Sequence, residues 1–224
     1  MSYLLRLVVP DRPGALGAVA TALGTAGVDI VSLDVLERAH GIAVDDIVVD
    51  LPADRLPDSL ITAARSVPGV EVESLRPFAG PLDTHRELEL LEALSRGERA
   101  PTELLATELP RVFHSSWAAV LDGAGQPAPL PEGAVLAASE AAPVFTGLTL
   151  PWLPLSGPRL LPSDDSWLPE RWQEMAIEMM AVPFGAGRAL VLGRSGGPAF
   201  RRSELLRLAH LTGIAATVGV LPPV

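Results

Sequence analysis

A serine in a glycine-rich stretch is the residue of this sequence with the clearest potential for nucleophilic chemistry. Ser195 lies within Gly193-Arg194-Ser195-Gly196-Gly197, which fits the spacing of the nucleophile elbow of hydrolases and follows a predicted strand. Such a hydrolase also needs an acid and then a histidine later in the chain, on loops above a parallel sheet. Only His210 follows, inside a predicted helix. A turn explains the same residues, so we expect no catalytic residue and keep a serine esterase as a distant alternative.

The other residues do not indicate a metal site or a nucleotide-binding site. The four histidines are dispersed and the chain has no cysteine, so no set of side chains has the spacing of a transition-metal site. Gly185-Ala186-Gly187 precedes a predicted strand instead of a helix and is too short for a dinucleotide fingerprint. We therefore expect neither a bound metal nor a cofactor.

Composition narrows the range of partners. The 224 residues are enough for two domains, and the excess of 27 acidic over 17 basic residues gives a net charge of -10. This charge repels nucleic acids and anionic membranes. No apolar stretch reaches the roughly 20 residues of a membrane helix, and no signal peptide is evident. We expect a cytoplasmic protein, and the use of arginine without lysine suggests a bacterial, GC-rich coding sequence.

The first third of the chain alternates between short strands and amphipathic helices. Residues 4–9 have the pattern of a buried strand, and a helix follows. Two strands come next, the first with Val31, Leu33 and Val35 on one face, then a second helix and a last strand over residues 70–75. This order predicts an α+β, ferredoxin-like βαββαβ domain, in which two helices cover one face of an antiparallel sheet.

Two motifs of this region resemble the signature stretches of ACT domains. The first is Val8-Val9-Pro10-Asp11-Arg12-Pro13-Gly14-Ala15-Leu16, a turn that leads into the first helix. The second is Gly27-Val28-Asp29-Ile30, at the start of the second strand. The resemblance covers residues 1–78. It implies a regulatory domain that binds an amino acid, with the ligand often held between two such domains packed side by side, and therefore a homodimer.

The resemblance implies a set of eight ligand-binding residues. Gly14 has no side chain, so backbone N–H groups at the start of the helix can receive an α-carboxylate. Asp29 can accept hydrogen bonds from an α-ammonium group, so we expect the two residues to act on one ligand. The structural alternative is that Pro13-Gly14 only forms a tight turn and that Asp29 only satisfies backbone amides. The eight residues are Asp11, Arg12, Gly14, Ala15, Leu16, Val28, Asp29 and Ile30.

The second part of the chain resembles a GAF domain. Periodicity ends near residue 78, so we predict a linker over residues 79–82 and a second domain over residues 83–224. The resemblance rests on Val182-Pro183-Phe184, a glycine turn, Leu190-Val191-Leu192-Gly193 and the later Glu204-Leu205-Leu206-Arg207-Leu208. It implies an α/β domain with a mainly antiparallel sheet, which binds a small molecule or mediates dimerisation and protein contacts.

A proline-rich segment over residues 151–171 carries Trp152 and Trp167. These side chains can close an apolar pocket as a lid, or they can pin down a long irregular connection, which is the interpretation we favour.

The sequence therefore predicts a non-catalytic, homodimeric sensor in which an amino acid bound by the first domain changes the position or the partner affinity of the second domain. The main alternative is a scaffold whose two domains only mediate association.

Overall fold

The computed structural model describes residues 1–78, 86–123 and 129–218, which fall into two compact units. The first unit comprises Met1–Asp83 and the second Thr84–Val224. The predicted linker over residues 79–82 lies outside the described residues.

The first unit is an antiparallel sheet with two helices, in the strand and helix order expected from the sequence. The sheet order is β2-β3-β1-β4, so β1 and β3 are central and β2 is an edge strand. This arrangement confirms the predicted βαββαβ fold. Its elements are β1 (Ser2–Pro10), α1 (Ala15–Thr25), β2 (Asp29–Ala39), β3 (Ile42–Asp50), α2 (Asp58–Arg65) and β4 (Glu71–Pro77).

Strand alternation builds the core of this unit. Leu5 and Leu7 of β1 and Ile47 of β3 point to one face of the sheet, where they pack against Val19 of α1 and Leu60 of α2. All five side chains are fully buried. Burial of each such side chain contributes about 1.5 to 3 kcal/mol, so this helix-covered face holds the unit together.

The second unit is also built on an antiparallel sheet. The sheet order is β6-β5-β9-β8-β7, and every neighbouring pair of strands is antiparallel. The mainly antiparallel sheet predicted for this part of the chain is therefore confirmed. The elements are α3 (Arg86–Arg96), α4 (Pro101–Val112), β5 (Trp117–Asp122), β6 (Val135–Ala138), β7 (Arg159–Leu161), α5 (Glu170–Glu174), β8 (Glu178–Pro183), β9 (Arg188–Arg194) and α6 (Arg202–Val218).

The two faces of this second sheet are covered differently. Helices α3, α4 and α6 pack on one face, for example through Leu94, Leu105 and Leu208. The other face lies under irregular segments whose aromatic side chains interlock, with Phe145 edge-on to Trp117 at 5.6 Å and to Trp172 at 5.3 Å between ring centroids.

Trp152 and Trp167 belong to this second cluster. Trp152 is 3% exposed and its ring lies edge-on to Trp167 at 5.9 Å. The contacts favour the interpretation that these residues pin down the connection that contains β7.

Within the three described ranges, none of the helices has the length and apolar character needed to cross a bilayer.

We predict that Gly193→Ala destabilises the second unit by about 2 kcal/mol or more. A Cβ at Gly193 would lie 2.0 Å from Cζ2 of the buried Trp117 on the neighbouring strand, so the packed sheet must shift. Urea unfolding followed by tryptophan fluorescence measures the change, because all four tryptophans lie in this unit. The control is Gly213→Ala in α6, where a Cβ meets nothing within 4 Å and a gain of up to about 1 kcal/mol is expected. Equal stability of the two variants would contradict the packing argument.

Candidate functional site

The turn between β1 and α1 is held in place by the β2–β3 hairpin and by the connection between α2 and β4. The backbone N–H of Asp11 donates to the carbonyl oxygen of Gly41 at 2.9 Å. The ring of Pro10 lies against Gly69, where a Cβ would approach the proline Cγ to 2.9 Å. Gly69 also has a φ of 81°, so glycine is required there for two reasons. These contacts therefore position the turn and the start of the helix that follows it.

Helix α1 begins without the usual capping side chain. Its N-cap is Gly14, with a left-handed φ of 86°, and no side chain among the described residues caps the helix at this end. The first turn also carries no acidic residue. The backbone N–H of Ala15 donates to the carbonyl oxygen of Arg12 at 3.2 Å, so the partial positive charge and the following N–H groups are what this end offers to an anionic ligand.

A cleft of about 360 Å³ lies at this helix start, between the turn, β2 and β3. This volume is within the usual range for small-molecule sites. Much of its wall is apolar and includes Val9, Val35 and Ala43. Five of the eight predicted ligand-binding residues line the cleft: Asp11, Arg12, Gly14, Ala15 and Leu16.

The other three predicted residues do not line the cleft of the same chain. Asp29 pairs with Asp50 at one end of the sheet, whereas Gly14 follows Pro10, which pairs with Ile42 at the opposite end. The 11-residue helix α1 connects these ends and spans about 16 Å at 1.5 Å per residue. Val28 is buried in the core, Ile30 packs against the core and Asp29 is exposed. Joint action of Gly14 and Asp29 therefore requires a second copy of the chain.

An ion pair closes one side of the cleft. Arg38 of β2 donates to Oδ1 of Asp11 from Nη2 at 2.5 Å and from Nε at 3.1 Å. Both residues line the cleft, and the Arg38 side chain is 65% exposed. This pair links the β1–α1 turn to the edge strand.

The cleft also contains a carboxylate that sequence reasoning missed. Asp45 of β3 is fully buried, and neither carboxylate oxygen has a hydrogen-bond partner among the described residues. Its side chain lies on the helix-covered face, opposite Leu7 of β1 and Val35 of β2. Burial, and then the negative charge of Asp46, raise the pKa of the Asp45 carboxyl group above its usual value, while Arg38 acts in the opposite direction.

The neighbouring Asp46 shows the opposite situation. It lies on the other face of the sheet, where Arg6 donates to it from Nε at 2.7 Å and from Nη2 at 2.8 Å. Both side chains are buried in this two-bond pair. Of two adjacent acids on one strand, one therefore has a dedicated arginine and the other has none among the described residues.

A signal for this difference exists in the sequence. Asp45 and Asp46 interrupt the apolar run of residues 43–49, and Arg6 interrupts the first strand. Because alternation places adjacent residues on opposite faces, one arginine in a neighbouring strand can pair with only one of the two acids.

The glycine-rich stretch around Ser195 is a structural turn held by its arginine. Arg194 is buried and donates to Oε1 of Glu204 at 2.6 Å and to the carbonyl oxygen of Phe113 at 2.7 Å. The backbone N–H of Ser195 donates to Oγ of Ser116 at 3.1 Å, and His210 is exposed on α6. In the described part of the chain, no three histidine or acidic side chains are grouped as metal ligands.

Comparison with known proteins identifies the first unit. The sequence model of the ACT domain family matches residues 3–69. No curated protein matches the chain. The GAF-like assignment of the second unit stays a prediction.

Two solved structures show distant likeness. A formyltetrahydrofolate deformylase from Pseudomonas putida KT2440 is 14% identical with a TM-score of 0.29, over 44% of this chain and 39% of that protein. An unknown protein from Galdieria sulphuraria is 11% identical with a TM-score of 0.31, over 97% of this chain and 90% of that one. The chain thus spans less than half the length of the deformylase, and TM-scores this low carry no functional argument.

We predict opposite stability effects for Asp45→Asn and Asp46→Asn at pH 7. Asp45→Asn removes a buried charge without a partner and should stabilise the first unit by roughly 1 kcal/mol. Asp46→Asn removes the charge that accepts two hydrogen bonds from the buried Arg6 and should cost on the order of 3 kcal/mol. Calorimetry measures the unfolding of both variants. The first unit has no tryptophan, so its unfolding is the transition that calorimetry detects and tryptophan fluorescence does not.

The benefit of Asp45→Asn should shrink as the pH falls. Because the folded-state pKa of Asp45 is raised, its contribution to wild-type stability is most favourable below the unfolded pKa of about 3.9 and is lost as the pH rises through the folded pKa. Near pH 4 the two proteins should therefore be similar. A variant less stable than wild type at pH 7 would show that Asp45 has a stabilising partner.

Proposed function

We propose that this chain, whose residues 3–69 form an ACT domain, is a non-catalytic regulatory protein of the cytoplasm that senses an amino acid as a homodimer. The observation that carries the proposal is the cleft at the start of α1. The cleft combines a helix N-terminus without a capping side chain, Gly14 at the position where a ligand would come closest to the backbone, and an apolar wall. All of these residues lie within the part of the chain that matches the family. These features suit a small zwitterion with an apolar side chain.

The edge strand β2 supports the homodimer. Among the described strands it pairs only with β3. Apolar side chains on it and at the start of β3 are 39–47% exposed, namely Val31, Leu33, Val35 and Ile42. An unpaired apolar edge favours association with a second copy. Antiparallel pairing along β2 would bring Asp29 of the second copy towards the end of the first β2, where Arg38 borders the cleft. The dimer thus accounts for the predicted joint role of Gly14 and Asp29.

The second unit supports a regulatory role through its architecture. Its antiparallel sheet has helices on one face and irregular, tryptophan-containing segments on the other. This layout agrees with the GAF resemblance, which implies a module that binds a small molecule or a protein partner. We propose that ligand binding by the ACT domain changes the partner affinity of this GAF-like unit.

Two alternatives lead to different measurements. In a scaffold, the two units mediate association and the cleft stays empty. In a serine esterase, Ser195 acts as the nucleophile, but β9 and both of its neighbours are antiparallel, and Arg194 fixes the loop through buried contacts. The first alternative is tested by a ligand screen and the second by an active-site probe.

We predict that one or more of the common amino acids stabilises the protein. A ligand at 100 times its dissociation constant adds about 2.7 kcal/mol to the free energy of unfolding, which a thermal-shift screen detects. Light scattering on the same sample should give a symmetric dimer, twice the chain mass of 23.5 kDa. A monomer mass at micromolar concentration would count against the dimer. The absence of a thermal shift with every amino acid in the screen would favour the scaffold.

Variants at the two predicted positions locate the ligand found in the screen. Asp29→Ala should weaken binding by about tenfold or more if Asp29 of a second copy holds the ammonium group. Gly14→Asn keeps a residue that tolerates the left-handed backbone but adds a side chain at the helix start, so it should also weaken binding. Wild-type affinity in both folded variants would place the ligand elsewhere, most plausibly in the second unit.

We predict that Ser195 has no hydrolase function. Purified protein should not be labelled by a fluorophosphonate probe, and Ser195→Ala should leave any trace esterase activity unchanged. Labelling that disappears in Ser195→Ala would support the esterase instead.

A further inference from the structure

We infer that Asp45, and not Asp29 of a second copy, binds the ammonium group of the ligand and that the cleft selects a small aliphatic amino acid. This inference rests on the proposed amino-acid sensing and adds a specificity-determining residue to it. The residue lies outside both motifs that predicted the site.

The first step is the isolation of the Asp45 carboxylate. It is fully buried, lines the cleft and has no hydrogen-bond donor among the described residues. Its strand neighbours on the same face, Ala43 and Ile47, are apolar, as are Leu7 and Val35 opposite. Buried carboxylates in folded proteins almost always have donors, so this one is matched to a group that is not part of the chain.

The second step is that two nearby arginines, Arg6 and Arg38, already have carboxylate partners. Arg6 donates two hydrogen bonds to Asp46 on the opposite face of the sheet. Arg38 donates two to Asp11 at the side of the cleft. Arg12 also lines the cleft, in the turn before α1. None of these arginines donates a hydrogen bond to Asp45 among the described residues, so a cation brought by the ligand can complement it.

The third step is the opposite polarity at the helix start. The uncapped N-terminus of α1 lines the same cleft as Asp45 and carries the positive end of the helix dipole. A molecule with a carboxylate and a protonated amine satisfies both ends. The wall between them includes Val9, Leu16 and Val35, which suits an aliphatic side chain without further charge.

Occupation of the site also changes the protonation of Asp45. Burial and the negative charge of Asp46 raise the pKa of the Asp45 carboxyl group. Arg38 lowers this pKa and Asp11 raises it further. The first turn of α1 adds no acidic group. When an ammonium group docks, Asp45 is ionised and its proton is released to solvent. Affinity should therefore increase as the pH rises through the raised pKa of the Asp45 carboxyl group.

The experiment compares three probes by calorimetry at pH 7.5: L-leucine, its des-amino analogue 4-methylpentanoate and its decarboxylated analogue 3-methylbutylamine. Wild-type protein should prefer L-leucine to 4-methylpentanoate by on the order of tenfold to a hundredfold. Asp45→Asn should lose that preference while its binding of 4-methylpentanoate stays at the wild-type level. Asp34→Asn is the matched control, because Asp34 is exposed on β2, opposite Asp46, and its loss removes the same charge.

Each other outcome overturns the inference in a distinguishable way. If Asp45→Asn keeps the preference for L-leucine and Asp29→Ala loses it, Asp29 holds the ammonium group and the proposed function stands. If L-leucine does not bind but L-lysine or another common amino acid does, the aliphatic class is wrong and the sensor remains. If no common amino acid binds wild-type protein, both the inference and the proposed function fail. A wild-type affinity for L-leucine that does not change between acidic and neutral pH contradicts the proton release.

Discussion

The antiparallel pair of β1 and β3 is the constraint on which the first unit depends. Its register sets Leu7 opposite Asp45 and Arg6 opposite Asp46. Because successive side chains point to opposite faces, this one register decides which residues form the core under the helices and which form the buried ion pair. A shift of β3 by one residue would exchange its two faces, move Ile47 out from under the helices and separate Asp46 from Arg6. The hydrophobic core, the ion pair and the floor of the cleft therefore all depend on the same strand register.

The cleft departs from the rules that the rest of the unit follows. Helix α1 starts at a glycine with no capping side chain, and the carboxylate of Asp45 is buried without a donor. Each feature costs stability in the empty protein, and a bound zwitterion would offset both costs at once. Such groups commonly mark sites where binding has been favoured over stability. The cost is tolerable because the surrounding strand pairing and the Pro10 turn are rigid.

The second unit solves a different packing problem. One face of its sheet is closed by helices through aliphatic contacts, and the other by irregular segments through interlocking aromatic rings. Trp117 fits this second face only because Gly193 on the neighbouring strand has no side chain. Directly after that glycine, the buried Arg194 binds Glu204 and ties the end of β9 to the start of α6. The glycine-rich stretch that resembles a nucleophile elbow is thus explained by packing and by a buried ion pair.

The sequence by itself determined the order of strands and helices in the ACT domain, its antiparallel fold, the turn at Gly14 and the antiparallel character of the second sheet. These follow from hydrophobic periodicity and from glycine and proline positions, which are local properties of the chain. The exposure of Leu33 and Val35 was not readable in this way, since alternation shows that residues share a face but not that β2 is an edge strand. Only the tertiary structure separated Asp29 from Gly14, because the length of α1 holds them at opposite ends of the sheet. Only the pairing register shows that Arg6 binds Asp46 and that Asp45 lies in the cleft. The two members of the ion pair are 40 residues apart, so strand pairing and not local sequence brings them together.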